Sequence, residues 1–599
     1  VLESPAAFRP FLGVSRSVLG QAWRDRLDDA GAAIALAMVQ AHALPDVVAR
    51  ILAARGVAAD AASGFLEPRL RDLMPDPDSL RDMASAVARL ARAIAQGETV
   101  AVFGDYDVDG ACSSALLASF LACCGTPFVI HIPDRITEGY GPNVDAIRAL
   151  KAEGASLLVT VDCGTTSFEP LAEAGRLGLD VIVIDHHQAP AELPPAAAIV
   201  NPNRQDDLSG LGHLAAAGVV FMVLVALNRH LRSQGFWDGR GGAPDLLGDL
   251  DLVALATVAD VVRLEGLNRA FVRQGLQIMR QRRRPGLTAL LDAAALRGPP
   301  EAWHLGFLVG PRINAGGRIG DAALGAKLLM TQDPTEAARI AGELDHLNRE
   351  RQVIEQLAVE EATAEAERLL ERADASVLVV GSPEWHPGIV GLVAARLKER
   401  FGRPAFAFAL TAQGGTGSGR SILGVDLGRA VRAAVEAGVA VKGGGHAMAA
   451  GVTLGTPDLA AFAAFLDARL ATAVAAARLE TGLSIDAAVT AGGATADLIA
   501  GIARAGPYGS GNPEPVFVFP HHRLVDAAEA KGHVRVSLKS GDGAAVGGIA
   551  FRSADRPLGQ ALLAARGRTL HIAGTLALDT WGGSPKVSLR VMDIAEPAR

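Results

Sequence analysis

The stretch TVAVFGDYDVDG, residues 99–110, passes from an uncharged apolar run at 100–103 into three aspartates at alternate positions, Asp105, Asp107 and Asp109. A short apolar run closed by glycine reads as a strand. Charges set directly after a buried parallel strand lie at its carboxyl end, where open α/β sheets keep their ligand crevice. Two further runs follow the same rule. LLVTVDCGT brings Asp162 to the end of 157–161, and VIVIDHHQ brings Asp185, His186 and His187 to the end of 181–184. These seven side chains are expected to converge.

Carboxylates crowded in a crevice repel one another and are driven toward protonation. A bound cation removes the conflict. Mixed carboxylate and imidazole donors suit Mn²⁺, with Mg²⁺ as the alternative, better than a thiolate-bound metal, and there are enough of them for one or two ions. A pair of ions activates water and stabilises the leaving oxygen of a phosphodiester. A single Asp-x-Asp after a strand more often caps a turn or a helix. Recurrence at three strand ends is what points to metal.

At 599 residues the chain exceeds one hydrophobic core, so two to four domains are expected. Half of the residues are apolar and a fifth charged, a balance that favours a folded chain over a disordered one. A net charge of -8 opposes nucleic-acid binding over the whole surface but leaves room for a local basic groove. The longest uncharged apolar stretch, 214–227, is shorter than the roughly 18 residues of a membrane span, and no signal-like segment opens the sequence. A cytoplasmic protein with no membrane partner is expected. Cys112, Cys123, Cys124 and Cys163 lack disulfide or zinc spacing and are expected to be buried free thiols.

The chain divides into five parts. Amphipathic helical stretches at 46–55 and 85–96, with Pro-rich joints, mark a helical extension over 1–95. Strands alternating with helical patterns predict an α/β domain with a mostly parallel sheet over 96–330. A charged connecting helix over 331–373 leads to a second α/β domain, 374–480, with the glycine clusters GGTGSGRS and KGGGHAMAAG. Strand-like PVFVF, HVRVSL, TLHIAGTL and KVSLRVMDI predict a small β-barrel over 481–599.

GDYDVDG, VTVDCGT, the Asp-His-His at 185–187 and ATVADVV with Asp260 are similar to the four motifs of the DHH phosphoesterases. DRITEGYG, GPRINAGGRIGDA, EWHPGIVGLVAARLKERFGRP, GSGRS, GGGHAMAAG and GPYGSGNPEPVF stand in the order of the bacterial RecJ family within that superfamily. The resemblance implies a DHH catalytic domain, a long connecting helix, a DHH-associated domain closing over a narrow cleft that admits single strands, and a C-terminal OB-fold. The activity it implies is metal-dependent 5′ to 3′ exonuclease cleavage of single-stranded DNA, releasing 5′-mononucleotides in recombination and repair. Carried over by motif, Asp107, Asp109, Asp162, His186 and Asp260 ligate metal with His187 beside them, and Asp105 and Asp185 orient those ligands.

Arg135 and Tyr140 then meet a terminal phosphate and a base face. Arg318, Ser418 and Arg420 match positions that approach a 5′-phosphate, and the glycines around Ser418 are expected to allow backbone N–H donation to an anion. His446 is read as a phosphate or phosphodiester contact. Arg280, Arg282, Arg283 and Arg284 are read as a solvated helix end, with a DNA-backbone contact as the lesser reading. The partners implied are single-stranded DNA, a single-strand-binding protein and a helicase, with the enzyme a monomer. Two other readings are weighed. A DHH phosphodiesterase for short oligonucleotides or cyclic dinucleotides has no use for the extension or the barrel, and a non-catalytic replication scaffold need not keep acids or histidines in all four motifs.

One position departs from the pattern. Several DHH proteins carry a histidine where this chain has Phe103, which cannot ligate. Calorimetric Mn²⁺ titration should therefore give a second equivalent only when a substrate analogue supplies its phosphate; two equivalents without analogue would contradict this.

Overall fold

The run 100–103 forms β1 (Val100–Gly104), every residue of which is buried. With β2 (Phe128–His131), β3 (Leu157–Val161), β4 (Asp180–Ile184) and β5 (Ala198–Val200) it makes a parallel sheet in the order β2-β1-β3-β4-β5. A sheet covered on both faces needs no polar alternation, so its strands read as continuous Val, Ile and Leu. In this order the connections leave β1 and β3 in opposite directions, and the crevice opens between their carboxyl ends. After β1 the chain turns sharply into α1 (Val108–Cys124). Two glycines permit it: a Cβ at Gly104 would lie 2.1 Å from Ser114 Oγ, and one at Gly110 would lie 2.3 Å from the Asp105 carbonyl oxygen. Helices α2 (Ala216–Ser233) and α3 (Leu250–Ala259) pack on α1.

The computed structural model describes residues 10–456, 458–480, 482–579 and 586–597. They fall into two compact units, Met74–Glu480 and, separately, Val1–Leu73 with Thr481–Arg599. In the first unit the charged segment after the sheet is one helix, α4 (Pro334–Arg372), with Pro334 in its first turn and Asp333 accepting the Thr335 N–H. At 1.5 Å per residue it is about 60 Å long. Its buried stripe runs through Ile340, Leu344, Asn348, Arg351, Glu355 and Ala358, so polar groups interrupt an otherwise apolar face.

Beyond α4 lies a second sheet, ordered β9-β10-β8-β7-β6, built from β6 (Leu378–Ser382), β7 (Ala405–Thr411), β8 (Gly414–Arg420), β9 (Lys442–Gly445) and β10 (Ala449–Leu454). Only β6 and β7 run parallel. The glycines of both clusters lie in strands, GGTGSGRS in β8 and KGGGHAMAAG in β9 and β10 on either side of a turn at 446–448. In β8 a Cβ at Gly417 would lie 2.3 Å from the Phe408 ring, and one at Gly419 would lie 2.4 Å from that of Phe406. These glycines seat aromatic rings. Because β8 pairs with β7 on one side and β10 on the other, its amides serve the ladder, and the expected N–H donation from around Ser418 to an anion does not hold. Helix α5 (Val390–Phe401) packs on this sheet, as does α6 (Leu459–Leu479). Although α6 is long and apolar enough to cross a membrane, its Phe462, Leu466, Leu470 and Val474 belong to this domain's core.

The other unit contains a closed barrel of β11 (Phe517–Ala530), β12 (His533–Lys539), β13 (Ala545–Ala550), β14 (Thr569–Asp579) and β15 (Lys586–Ala595). The order β11-β12-β13-β15-β14 closes by pairing β14 with β11, giving a five-stranded OB-type barrel. The N-terminal segment is not helical throughout: Ala22–Asp25 is a strand paired in parallel with Gly482–Ile485. Residues 1–9 of the expected extension lie outside the described residues. Three of the four cysteines are buried, but Cys123, at the end of α1, is exposed.

Filling the ring seat should be costly. Gly417→Ala is expected to lose about 1–3 kcal/mol, the range for overpacking a well-packed core, read as a lower urea midpoint with unchanged slope; an unaltered midpoint would show that Phe408 simply moves aside.

Candidate metal centre

Asp107 is the N-cap of α1: its Oδ1 accepts the N–H groups of Asp109 (2.9 Å) and Gly110 (3.1 Å). Asp109, within the first turn, is buried against the start of α2, where its two oxygens accept the N–H of Ala216 (2.7 Å) and Ala217 (2.8 Å). The carboxylate thus caps a helix that has no capping side chain of its own. Asp162 follows β3 with φ +63°, and its N–H is held by the Ile184 carbonyl at 3.0 Å. Asp260 sits at the C-terminal end of α3, where the helix dipole disfavours a carboxylate and favours a cation.

The two histidines are set differently. His186 Nδ1 lies 3.0 Å from the Leu214 carbonyl oxygen, which can only accept, so Nδ1 carries the proton. Nε2 faces the acids, 3.3 Å from Asp162, 3.7 Å from Asp260 and 3.8 Å from Asp109. His187 Nδ1 is instead 2.8 Å from Asp185 Oδ1, which also accepts both histidine N–H groups, while Asp185 Oδ2 accepts from Thr165. Burial alone would raise the Asp185 carboxyl, but the His187 hydrogen bond and charge hold it well below the ordinary range. Burial likewise acts against a charged His187, and the Asp185 bond outweighs it, raising the imidazole to about 9.

Among the described residues, donor atoms within 4.8 Å of one another form three groups: Asp162, His186 and His187; Asp109, His186 and Asp260; and Asp105, Asp107 and Asp162. Burial first, and neighbouring carboxylates after it, raise the carboxyls of Asp105, Asp162 and Asp260; burial also raises Asp109, against the pull of His186. Two oxygens, Oδ1 of Asp105 and Oδ1 of Asp162, are buried with no hydrogen-bond partner among the described residues. Hard oxygen donors left unsatisfied close to the Nε2 of His186 are a fitting donor set for Mn²⁺ or Mg²⁺. Asp105, expected only to orient its neighbours, thus stands among the candidate donors. Phe103 is fully buried in the core, its ring 5.0 Å from that of His131.

Opposite the acids, within the same unit, are guanidinium groups. Arg318 donates to the Gly388 carbonyl at 2.8 Å. Burial first, and then the charges of Arg135, Arg351 and Arg420, draw it down to about 10, so these cations stand close together, with Asp107 the opposing charge. Arg420 donates to Ser418 Oγ at 2.9 Å, and a Cβ at Gly391 would lie 2.9 Å from its Nη2. Arg135 lies over the Tyr106 ring at 5.1 Å, and Tyr140 donates to the Asp162 carbonyl at 3.3 Å. His446 is exposed at the end of β9, within electrostatic range of His187 and His186.

Sequence reasoning missed several residues here. Arg351 is buried on α4 between Asn348 and Glu355, and its Nε has no partner among the described residues. The available signal was a polar triplet at helical spacing on a stripe that is otherwise apolar. Asn201 and Asn203, after β5, donate to the carbonyls of His187 and His186, and Asn314 accepts the Val108 N–H at 3.1 Å. NPN at a fourth strand end was legible as polar residues in the same crevice. Arg284 is the reverse case: it is not solvated but pairs with Asp249 (2.7 Å) and Asp251 (2.9 Å), whereas Arg280, Arg282 and Arg283 are exposed.

Comparison with known proteins agrees with this geometry. The family described as DHH family, N-terminal domain matches residues 99–245, the DHHA1 domain matches 374–472, and the RecJ OB domain matches 485–593. These matches define a DHH protein with a DHHA1 domain and a C-terminal OB domain. The single-stranded-DNA-specific exonuclease RecJ of Salmonella typhimurium is 38% identical over 520 residues, covering 85% of this chain and 89% of that protein. That of Bacillus subtilis is 33% identical over 565 residues, 93% of this chain and 68% of that protein. The crystal structure of RecJ in complex with Mn²⁺ from Thermus thermophilus superposes with a TM-score of 0.78 at 30% identity, covering 96% of this chain and 80% of that one; the complex with Mg²⁺ gives 0.72 at 29%, covering 96% and 79%. The chain belongs to the RecJ family.

If the acid cluster holds the ion, Mn²⁺ at about 100 times its dissociation constant stabilises the fold by about 2.7 kcal/mol. Asp162→Asn should melt no lower than the wild type without metal and lose most of that increment; a retained increment would place the ion elsewhere.

Proposed function

We propose that this protein is a metal-dependent exonuclease that degrades single-stranded DNA from its 5′ end and releases 5′-mononucleotides in DNA recombination and repair. The observation that carries the reading is the cluster of buried acids around the His186 imidazole, facing a group of guanidiniums. Asp107, Asp109, Asp162, His186 and Asp260 would hold one or two Mn²⁺ ions, or Mg²⁺, with His187 beside them and Asp185 fixing the His187 ring. When bound, the ions supply the Lewis acidity that activates water and offsets charge on the phosphodiester. The Leu214 carbonyl keeps His186 Nε2 free to donate its lone pair.

The guanidiniums support an end-directed reading, and the family resemblance assigns that end as the 5′ one. A terminal phosphate carries more charge and more free oxygens than an internal phosphodiester, so Arg135, Arg318, Arg351 and Arg420 together suit the terminal group. With that end held, the first internal phosphodiester is presented to the acids. Ser418 joins the terminal contact through its hydroxyl, Tyr140 meets the first base, and His446 approaches the phosphodiester from the DHHA1 domain. The working division is an N-terminal extension (1–95), a catalytic domain (96–330), a connecting helix (331–373), an associated domain (374–480) and an OB domain (481–599) that binds single strands. The enzyme acts as a cytoplasmic monomer on strands exposed by a helicase and bound by a single-strand-binding protein.

Digestion of single- and double-stranded DNA labelled at either end tests this. Mononucleotides should leave first from the 5′ end of single strands, with Mn²⁺ and not with chelator, and Asp162→Ala should abolish release while keeping most DNA binding. Release beginning at the 3′ end, or equal attack on blunt duplex, would overturn the reading.

A further inference from the structure

The loop over 134–143 carries both Arg135 and Tyr140, but its shape is set by Glu138. Glu138 Oε1 accepts the Asp134 N–H at 2.9 Å, and Oε2 lies 2.9 Å from His131 Nε2 and accepts from Asn143 Nδ2 at 3.1 Å. His131 ends β2 and Asn143 caps the helix Val144–Ala152, its Oδ1 accepting the Ala146 N–H at 2.8 Å. One carboxylate therefore joins the strand end, the loop start and the next helix. Asp134 completes the turn by accepting from the N–H groups of Ile136 (2.9 Å) and Thr137 (2.8 Å). Among the described residues no carboxylate forms an ion pair with Arg135. The two acids of its own loop are committed elsewhere, Asp134 to Ile136 and Thr137 and Glu138 to His131 and Asn143, which leaves the guanidinium available to an anion.

We propose that Glu138 is the positioning residue for 5′-end recognition: without touching the DNA, it holds Arg135 and Tyr140 where a terminal phosphate and first base arrive. The inference rests on the proposed reading of Arg135 as a phosphate contact. A loop fixed in advance loses less conformational freedom when the end docks, so its effect falls on binding of the phosphorylated end and not on the chemical step. A carboxylate that merely stabilised the loop would change the melting temperature and leave end preference intact.

The test measures kcat and KM for a single-stranded oligonucleotide bearing a 5′-phosphate or a 5′-hydroxyl. Arg135→Ala should remove the wild-type preference for the phosphate. Glu138→Ala should reduce that preference about fivefold, the equivalent of one hydrogen bond, through KM and with kcat within about twofold. Glu138→Gln, which keeps the Asp134 contact, should fall between Glu138→Ala and wild type. The double variant should be no worse than Arg135→Ala alone, because both changes act through one contact. A preference lost in Arg135→Ala but intact in Glu138→Ala sinks the inference alone, as does a double variant with additive losses. An unchanged preference in Arg135→Ala sinks the phosphate reading and the inference with it. If Glu138→Ala does not fold, a full preference in a stably folded Glu138→Gln overturns the proposal.

Discussion

Like charges forced together at the mouth of a buried sheet are the constraint around which the DHH half of this protein is arranged. Asp105, Asp109 and Asp162 are nearly inaccessible to water, and burial and mutual repulsion both press them toward protonation. The fold answers locally where it can. Asp107 is satisfied by the first turn of α1, Asp109 by the start of α2, and Asp185 by His187 and Thr165. What stays unanswered among the described residues is Oδ1 of Asp105 and Oδ1 of Asp162, the latter 3.3 Å from His186 Nε2. Helix capping and ion binding thus divide one group of carboxylates between them.

The arginines show the same constraint with the sign reversed. Arg318, Arg351 and Arg420 come from three elements, the Gly310–Ile319 helix, α4 and β8, and each is anchored by neutral partners or by an acid on its own helix. Arg312 reaches Asp345 at 3.0 Å and so ties the Gly310–Ile319 helix to α4. The rigid helix therefore fixes how far one cation stands from the next.

Much of this was legible in the sequence because strand ends announce themselves. An apolar run that breaks into acids or histidines reports both a strand and its functional end, and this located Asp105 through Asp109, Asp162 and the Asp185–His187 group. Side chains brought in from a distance carry no such mark. Arg351 lies in a helix rich in charged residues, and only its helical spacing from Asn348 and Glu355 on the apolar stripe, a fainter signal than a strand end, separates it from Arg349 or Arg368. The glycine-rich strands were opaque for another reason: β-propensity scales rank glycine low, yet in β8 its missing side chain is what the neighbouring rings require. The capping of α2 by Asp109 could not be read because donor and acceptor are over a hundred residues apart.

Strand β8 also has a bearing on how this domain can fail. Gly417 and Gly419 turn to the rings of Phe408 and Phe406, so Ser418 and Arg420 turn the opposite way. A slip of one residue would exchange the two sets, pressing a guanidinium into the aromatic layer and offering bare backbone where the cation belongs. Packing and charge are thus written on alternate letters of the same seven residues. No misregistered form can keep its core while displacing only Arg420, so in this strand protein quality control inspects the placement of the cation and the packing of the rings together.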